Sequence, residues 1–491
     1  MITAITLKNF KSFQASQPLH LKPVTCVIGR NSSGKSTLIQ AIMLLRQSLE
    51  HRALGSRIPE LNLNGPLLDA GSFRDVVYRH DTSNPLGFSF DMSLDPRSHF
   101  GLVEARDPLV ALDVPRLPFR RIFRPIGFHE LRREVLQRRS KTYRASVSLE
   151  YLPQPPFGPT LRTLSINIDG LGSVFFRLTI GKKRVQHWRT YMKDLPNKGL
   201  ELFFPRDSFL PFVDIRSRSR RRSETEELRR FVSLSSLAFS EITQFLNDTK
   251  LVGPFRTPPE RRYPFTGFGA LDTGLSGERA VDLLIAESLL RPPTDHLRRA
   301  VSYWLERLKL ANRIDVKNLA RRANIFEVQV SGAGGVSTAN FADVGFGVSQ
   351  ILPVLVQGLL VPRGGTFIVQ QPEIHLHPDA QADLADFFLY LASQGVNSLI
   401  ETHSEYFLVR LRRRLAEGIK VQTIGIPGER PIPSPGLGVN DISVLYVQPR
   451  REGMPREIKI GKSFQFEDLP EGFMNQSVED RLAIMKALKH P

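Results

Sequence analysis

The sequence predicts an α/β protein, a sheet that carries helices joined to a β-rich lobe. Three observations lead there. Val24-Thr25-Cys26-Val27-Ile28 is an apolar, β-branched run, and after a glycine-bearing loop Leu38, Ile39, Ile42 and Leu45 recur at helical spacing. A buried strand therefore turns directly into a helix that starts near Ser36. Two later runs, Thr366-Phe367-Ile368-Val369 and Ser398-Leu399-Ile400, end in polar residues, as strands do when they reach a sheet edge. Between residues 80 and 180, runs such as Leu86-Gly87-Phe88-Ser89-Phe90 and Val147-Ser148-Leu149-Glu150-Tyr151 alternate with Pro and Gly, the pattern of a β-rich lobe.

The other elements follow in order. The N-terminal run to Phe10 alternates like a strand and lacks a signal-peptide core. Leu61-Asn62-Leu63-Asn64-Gly65 through Phe73–Val77 reads as a turn and a short element. Leu251–Arg256 returns to strand character, and Pro258, Pro259 and Pro264 mark a loop holding Arg261 and Arg262. Helices are expected over 277–291 and 295–310, and a strand over Phe326–Val330. A further helix has Val348, Ile351, Leu352, Leu355, Val356 and Leu359 on one face, with Pro353 placed early, where a missing N–H costs least. No internal repeat or heptad run suggests a coiled-coil arm.

A chain of 491 residues suits two or three domains. No apolar run reaches the roughly 18–20 residues of a membrane helix. The single cysteine, Cys26, rules out an intramolecular disulfide, reads as buried filler and fits a reducing cytoplasm. A net charge of +18 attracts polyanions, nucleic acid among them, but fits an acidic protein partner equally. Two Arg-dense stretches, Arg116–Arg144 and Arg216–Arg222, fit either phosphate contact or a solvated surface. Glu224, Glu226 and Glu227, after the second, suit a helix start.

Residues 29–37, Gly-Arg-Asn-Ser-Ser-Gly-Lys-Ser-Thr, form a complete P-loop, G-x-x-x-x-G-K-[ST]. Its glycines let backbone N–H groups of Arg30, Asn31, Ser32, Ser33 and Gly34 turn toward phosphate oxygens. The helix N-terminus at Lys35, Ser36 and Thr37 adds partial positive charge. Lys35 is expected on the β- and γ-phosphates of ATP, and the Ser36 hydroxyl on Mg2+.

Three later segments complete a nucleotide machine. The turn of Gly345, Gly347 and Ser349 leads into a helix and is a second anion site, expected to serve the γ-phosphate of a partner subunit. Val369-Gln370-Gln371-Pro372-Glu373 ends a strand beside the expected Mg2+. Glu401-Thr402-His403-Ser404 ends another, with His403 in reach of the γ-phosphate or attacking water. His375 and His377 lack the acidic or thiolate companions of a metal site.

On these residues, with Leu7-Lys8-Asn9-Phe10-Lys11-Ser12-Phe13 and Gly253-Pro254-Phe255-Arg256, the chain resembles ABC-type ATPases of the SMC/RecF/OLD kind. More narrowly it resembles bacterial ATPases that begin with this KNFKSF strand pair and end in a small domain of unknown function; Asn440–Tyr446 and Leu469–Phe473 match that tail. The resemblance implies an ABC-ATPase head from 1–80 and 246–425, an inserted β-rich basic lobe at 81–245 and a small C-terminal domain at 426–491. It implies a head-to-tail dimer sandwiching two ATP, with His403 as switch histidine and His375–Pro378 as the D-loop equivalent. ABC enzymes end the 366–371 strand in two acids; here Gln370 takes the metal position and Gln371 that of the water-polarising residue. Glutamine orients water but accepts no proton, so slow turnover is expected, with Glu373 or His403 assisting if the glutamines are native. The alternative is that a glutamate was replaced to trap the ATP state. By analogy the role is a cytoplasmic clamp or sensor in anti-phage defence. No nuclease signature follows His403, so an effector such as a nuclease is expected from a partner. A RecF-like repair ATPase and a nucleotide-bound scaffold are the alternatives.

Overall fold

The computed structural model describes residues 1–50, 60–99, 141–154, 157–180, 186–193, 200–203, 210, 212–215, 222–267, 272–290, 295–320, 324–332, 337–419, 437–448 and 455–467. Their architecture is mixed α/β. They fall into two compact units, one drawn from 1–20 and 37–247, the other from 21–36 and from 248 onward. Of the Arg-dense stretches, residues 116–140 and 216–221 lie outside the described residues, as does the 469–473 match.

In the first unit the N-terminal run forms β1 (Ile2–Phe10), paired antiparallel with β2 (Phe13–Ala15), β3 (Leu19–His20) and β5 (Leu86–Leu94). The sheet continues as a meander through β6 (Tyr143–Gln154), β7 (Phe157–Ile168), β8 (Gly172–Ile180) and β9 (Gln186–Lys193). Alternation along β5 explains its core face: Phe88, Phe90, Met92 and Leu94 are buried, while Ser89 on the opposite face bonds Ser148 across the ladder at 2.8 Å. A hairpin, β10 (Leu200–Phe203) with β11 (Phe212–Ile215), is separate. The helix Arg222–Asp248 is far longer than its acidic start foretells. Leu228, Phe231, Val232, Ala238, Ile242 and Leu246 give it a buried stripe.

The second unit is built on a six-stranded sheet in the order β12 (Thr249–Val252), β17 (Thr366–Gln370), β18 (Asn397–Glu401), β4 (Val24–Gly29), β19 (Ile442–Val447) and β20 (Pro455–Ile458). All neighbours are parallel except β19 and β20. β4 is buried along its whole length, which is why it reads as one continuous apolar run. Cys26 is buried within it, and loss of hydration pushes its thiol far above the usual value, with Glu373 adding to the effect. A smaller sheet joins β13 (Tyr263–Pro264), β14 (Arg313–Ala320), β15 (Ile325–Ser331) and β16 (Thr338–Asn340).

Helices Ala280–Leu289, His296–Arg307, Phe346–Leu360, Pro378–Ser393 and Glu405–Glu417 belong to this unit. The helix Phe346–Leu360 departs from expectation. Every residue from Val348 to Gly358 is buried, so it is a core helix covered all round by β12, β17 and two helices, not one with a single apolar face. Pro353 is its eighth residue, well past the first turn. Pro353 packs against Gly277, whose φ is +73°, and a Cβ on Gly277 would lie 2.3 Å from the Pro353 Cβ. Neither the rigid ring nor the left-handed backbone can yield. Gly277→Ala is therefore expected to destabilise the protein by roughly 2 kcal/mol or more, read as a lower urea midpoint.

One buried charge ties three of these helices. Asp386, wholly buried, bonds Arg307 at 3.1 Å, Arg410 at 3.0 Å and Arg414 at 2.7 Å.

Candidate nucleotide site

The order β17, β18, β4 sets three carboxyl ends side by side, where open parallel sheets place their ligands. Each end delivers a different chemistry.

From β4 the chain enters the P-loop. Gly29 (φ +148°), Ser32 (φ +58°) and Gly34 (φ +97°) all need left-handed backbone. At Gly29 space also forbids a side chain, because a Cβ would sit 2.5 Å from the Val447 carbonyl oxygen. Arg30, Asn31 and Ser32 are exposed, and Ser33 is buried with its hydroxyl unpartnered. The Lys35 ammonium donates to the Arg30 carbonyl at 2.7 Å. Loss of hydration lowers it, while the charge of Glu401 opposes that shift. The Ser36 hydroxyl donates to the Glu401 carboxylate, 3.0 Å from one oxygen and 3.1 Å from the other. Thr37 is buried and bonds Ser12 at 2.9 Å, so its hydroxyl serves local structure.

β17 ends at Gln370, and Gln371 follows it. Gln370 lies opposite Glu401 in the parallel register, and its amide donates to Glu401 Oε2 at 2.8 Å. Gln371 sits at φ +46°, unusual for a side-chain-bearing residue. Its N–H donates to the Glu401 carbonyl at 2.7 Å. Arg256 fixes the same turn by donating to the carbonyls of Gln370 (3.0 Å) and Gln371 (3.2 Å). Burial pulls its guanidinium down to about 10, against the pull of Glu373. Its Nε and Nη1 have no hydrogen-bond partner.

Glu373 follows on the loop. Oε1 accepts from the His403 N–H at 2.7 Å, and Oε2 is unpartnered. Burial raises the carboxyl above its usual value, against that backbone bond. His403, just past β18, is exposed at its surface. Partial loss of hydration holds its imidazole below the usual value, Lys35 adding to this and Glu401 opposing.

Lys35 and His403 thus feel the charge of Glu401, and Glu373 joins through the His403 N–H. Ser36, Gln370 and Gln371 bond Glu401 itself, to which the sequence reading gave no role. Its signal was only a carboxylate at a strand end, and its meaning depends on the β17–β18 register. Among the described residues, Gly345, Gly347 and Ser349 make no hydrogen bond to the P-loop; the bonds of this turn are local. Gly345 caps the helix Phe346–Leu360 at φ −57°, and a Cβ there would meet nothing within 4 Å. Gly347 is tighter: a Cβ there would lie 3.2 Å from the His375 carbonyl oxygen. Ser349 is buried and bonds the Phe346 carbonyl at 3.0 Å, while Phe346 itself is 67% exposed. His377 serves structure by capping the helix Pro378–Ser393, its ring accepting from the Asp379 N–H at 3.4 Å.

The donor set fits Mg2+ held together with phosphates, a hard cation that takes one or two carboxylates and completes its shell with substrate and water. Ser36 and Glu401 offer oxygen donors in contact. Among the described residues no group of three or more His, Cys, Asp or Glu could hold a metal unaided.

A P-loop that follows a central parallel strand, with two further strand ends beside it, defines a P-loop nucleotide-binding protein. The profile of the family described as "AAA domain, putative AbiEii toxin, Type IV TA system" matches residues 24–410, and the chain belongs to this family. Solved structures similar to it include an SmcHead bound to the C-winged helix domain of ScpA, at 12% identity and TM-score 0.40 over 93% of this chain and 97% of that one. The Smc head with an extended coiled coil bound to the C-terminal domain of ScpA, from Pyrococcus furiosus, matches at 11% and 0.38, covering 99% of each chain. The SMC head domain from Thermotoga maritima matches at 9% and 0.34, over 94% of this chain and 99% of that one. No curated protein matches.

Proposed function

We propose that this chain is an ATP-driven clamp or sensor whose two copies close head-to-tail around ATP and Mg2+. The P-loop of one copy would face the Gly345–Ser349 turn of the other. The observation that carries this reading is Gly345. Neither its φ nor its surroundings within the chain require glycine, so the missing side chain suits close approach by something outside it. Phe346, exposed beside it, suits the same contact.

Within each copy, Lys35 and the loop N–H groups hold the β- and γ-phosphates, and Ser36 orients toward the cation. Mg2+, when bound, neutralises charge on the phosphates. Gln371 orients water without accepting its proton; Glu373 and His403 are the remaining bases. Binding should therefore exceed turnover, and closure should outlast it. The segmental division, a head from 1–80 and 246–425, a basic lobe at 81–245 and a tail from 426, is part of this proposal, the tail lending β19 and β20 to the head's sheet. We place the clamp in the cytoplasm, in bacterial anti-phage defence. The net charge of +18 supports nucleic acid as the sensed polyanion, with a nuclease-type effector as a separate protein. Among the described residues no helix is long and apolar enough to cross a membrane.

Mass measured by light scattering tests closure. The wild type is expected to double in mass on adding ATP and Mg2+, and Lys35→Ala to stay single. Gly345→Ala should keep wild-type stability within about 0.5 kcal/mol yet fail to pair. Mixing the two variants should partly restore pairing, since one of the two composite sites is then intact. A mass that ignores nucleotide in the wild type rules the clamp out.

A further inference from the structure

Glu401 ends β18 with 4% of its surface exposed. Its carboxylate accepts from neutral donors, the Ser36 hydroxyl shared between both oxygens and the Gln370 amide. Among the described residues no ion pair includes it. A buried carboxylate with only neutral partners is costly, and such groups are normally paired with a cation or bound to a metal. Lys35 acts on it only at longer range.

We propose that Glu401 supplies the carboxylate for the divalent cation that accompanies the nucleotide, one strand over from the position that Gln370 leaves neutral. This rests on the nucleotide-site reading above and adds the metal-binding group to it. The register carries it. β17 and β18 are parallel neighbours, and Gln370 stands directly opposite Glu401. Side chains at paired positions project to the same face of a sheet. The charge that β17 lacks is therefore present beside it. Ser36, the residue the P-loop commits to the cation, already touches that carboxylate and not Gln370. Gln370 in turn becomes a positioning residue, its amide fixing Glu401 Oε2 at 2.8 Å. One hydroxyl and one carboxylate, with phosphates and water, complete the kind of shell Mg2+ takes.

The test separates metal from nucleotide. Binding of an imido-bridged ATP analogue to the full chain is titrated calorimetrically, once in EDTA and once in Mn2+. In the wild type Mn2+ should tighten binding. Glu401→Gln should bind the analogue in EDTA as well as the wild type or better, because a negative charge beside the phosphates is gone. It should lose the Mn2+ gain by about tenfold or more. The exchanged pair, Gln370→Glu with Glu401→Gln, should recover most of that gain. A merely structural role would instead weaken binding equally with and without metal, and that result overturns the proposal, as does an undiminished Mn2+ gain in Glu401→Gln. If Glu401→Gln fails to fold by circular dichroism, Glu401→Asp, which draws the carboxylate back by one methylene, is read by the same two titrations. A wild type that binds no analogue under either condition refutes the underlying nucleotide reading instead.

Discussion

Asp386→Ala is expected to lower the unfolding free energy by about 3–5 kcal/mol, the usual cost of breaking a buried ion pair from one side. Asp386 is wholly buried and meets Arg307, Arg410 and Arg414 from two other helices. Removing the carboxylate leaves three guanidinium groups facing one another; Asp383 still pairs with Arg410 and Glu417 with Arg414, but Arg307 loses its carboxylate partner. Asp386→Asn keeps the shape and should fall between. The effect has a pH signature. Burial alone would raise this carboxyl, but the hydrogen bond and charge of Arg414, then Arg307 and Arg410, hold it below the usual value. A carboxyl lowered on folding contributes stability that is fully present above its unfolded value of about 3.9. That contribution is lost as pH falls through the folded value. Urea unfolding should show the full gap between wild type and variant at neutral pH and a shrinking gap in acid. A gap under about 1 kcal/mol at pH 7 would mean that the three arginines find other partners.

Gln371→Glu is expected to raise ATP turnover by about a hundredfold or more, the usual worth of a positioned general base. The wild type should turn over well below the median enzyme rate of about ten per second. The backbone of residue 371 is pinned from both sides, its N–H to the Glu401 carbonyl and its own carbonyl to Arg256. The substitution therefore changes chemistry with little change of shape. The pH profile identifies which base acts in the wild type. Glu373 is raised by burial and works only when ionised, so residual turnover through it should climb with pH above the ordinary carboxylate range. Residue 371 is only half-buried, so in Gln371→Glu that climb should move toward lower pH. Phosphate release across pH 4–8 reads both. Equal rates in the two proteins would exclude position 371 from the chemistry.

The P-loop, its strand and its helix were readable because a few adjacent residues encode them. Glycine frees the backbone, apolar runs bury, and helical spacing follows. The strand ends at Gln370 and Glu401 were readable for the same reason. What one residue meant to another across strands was not. Gln370 read alone is a missing acid; paired with Glu401 it is an amide holding one in place. The helix Phe346–Leu360 shows a second limit. Its apolar face was plain, yet periodicity does not report how many layers will cover a helix, and here they cover it all round. Nor does anything local in Asn440–Tyr446 say that β19 slots in beside β4, since a parallel pairing between such distant segments leaves no mark on either.

That pairing bears on how the molecule is made. β4 is made before both its neighbours, β18 and β19, which lie far downstream of it in the chain. Until they arrive, the phosphate-gripping loop has an unsupported strand beneath it, and Gly29 lacks the Val447 carbonyl against which it rests. The turn at Gly29 therefore reaches its final packing only once residues far along the chain have been made.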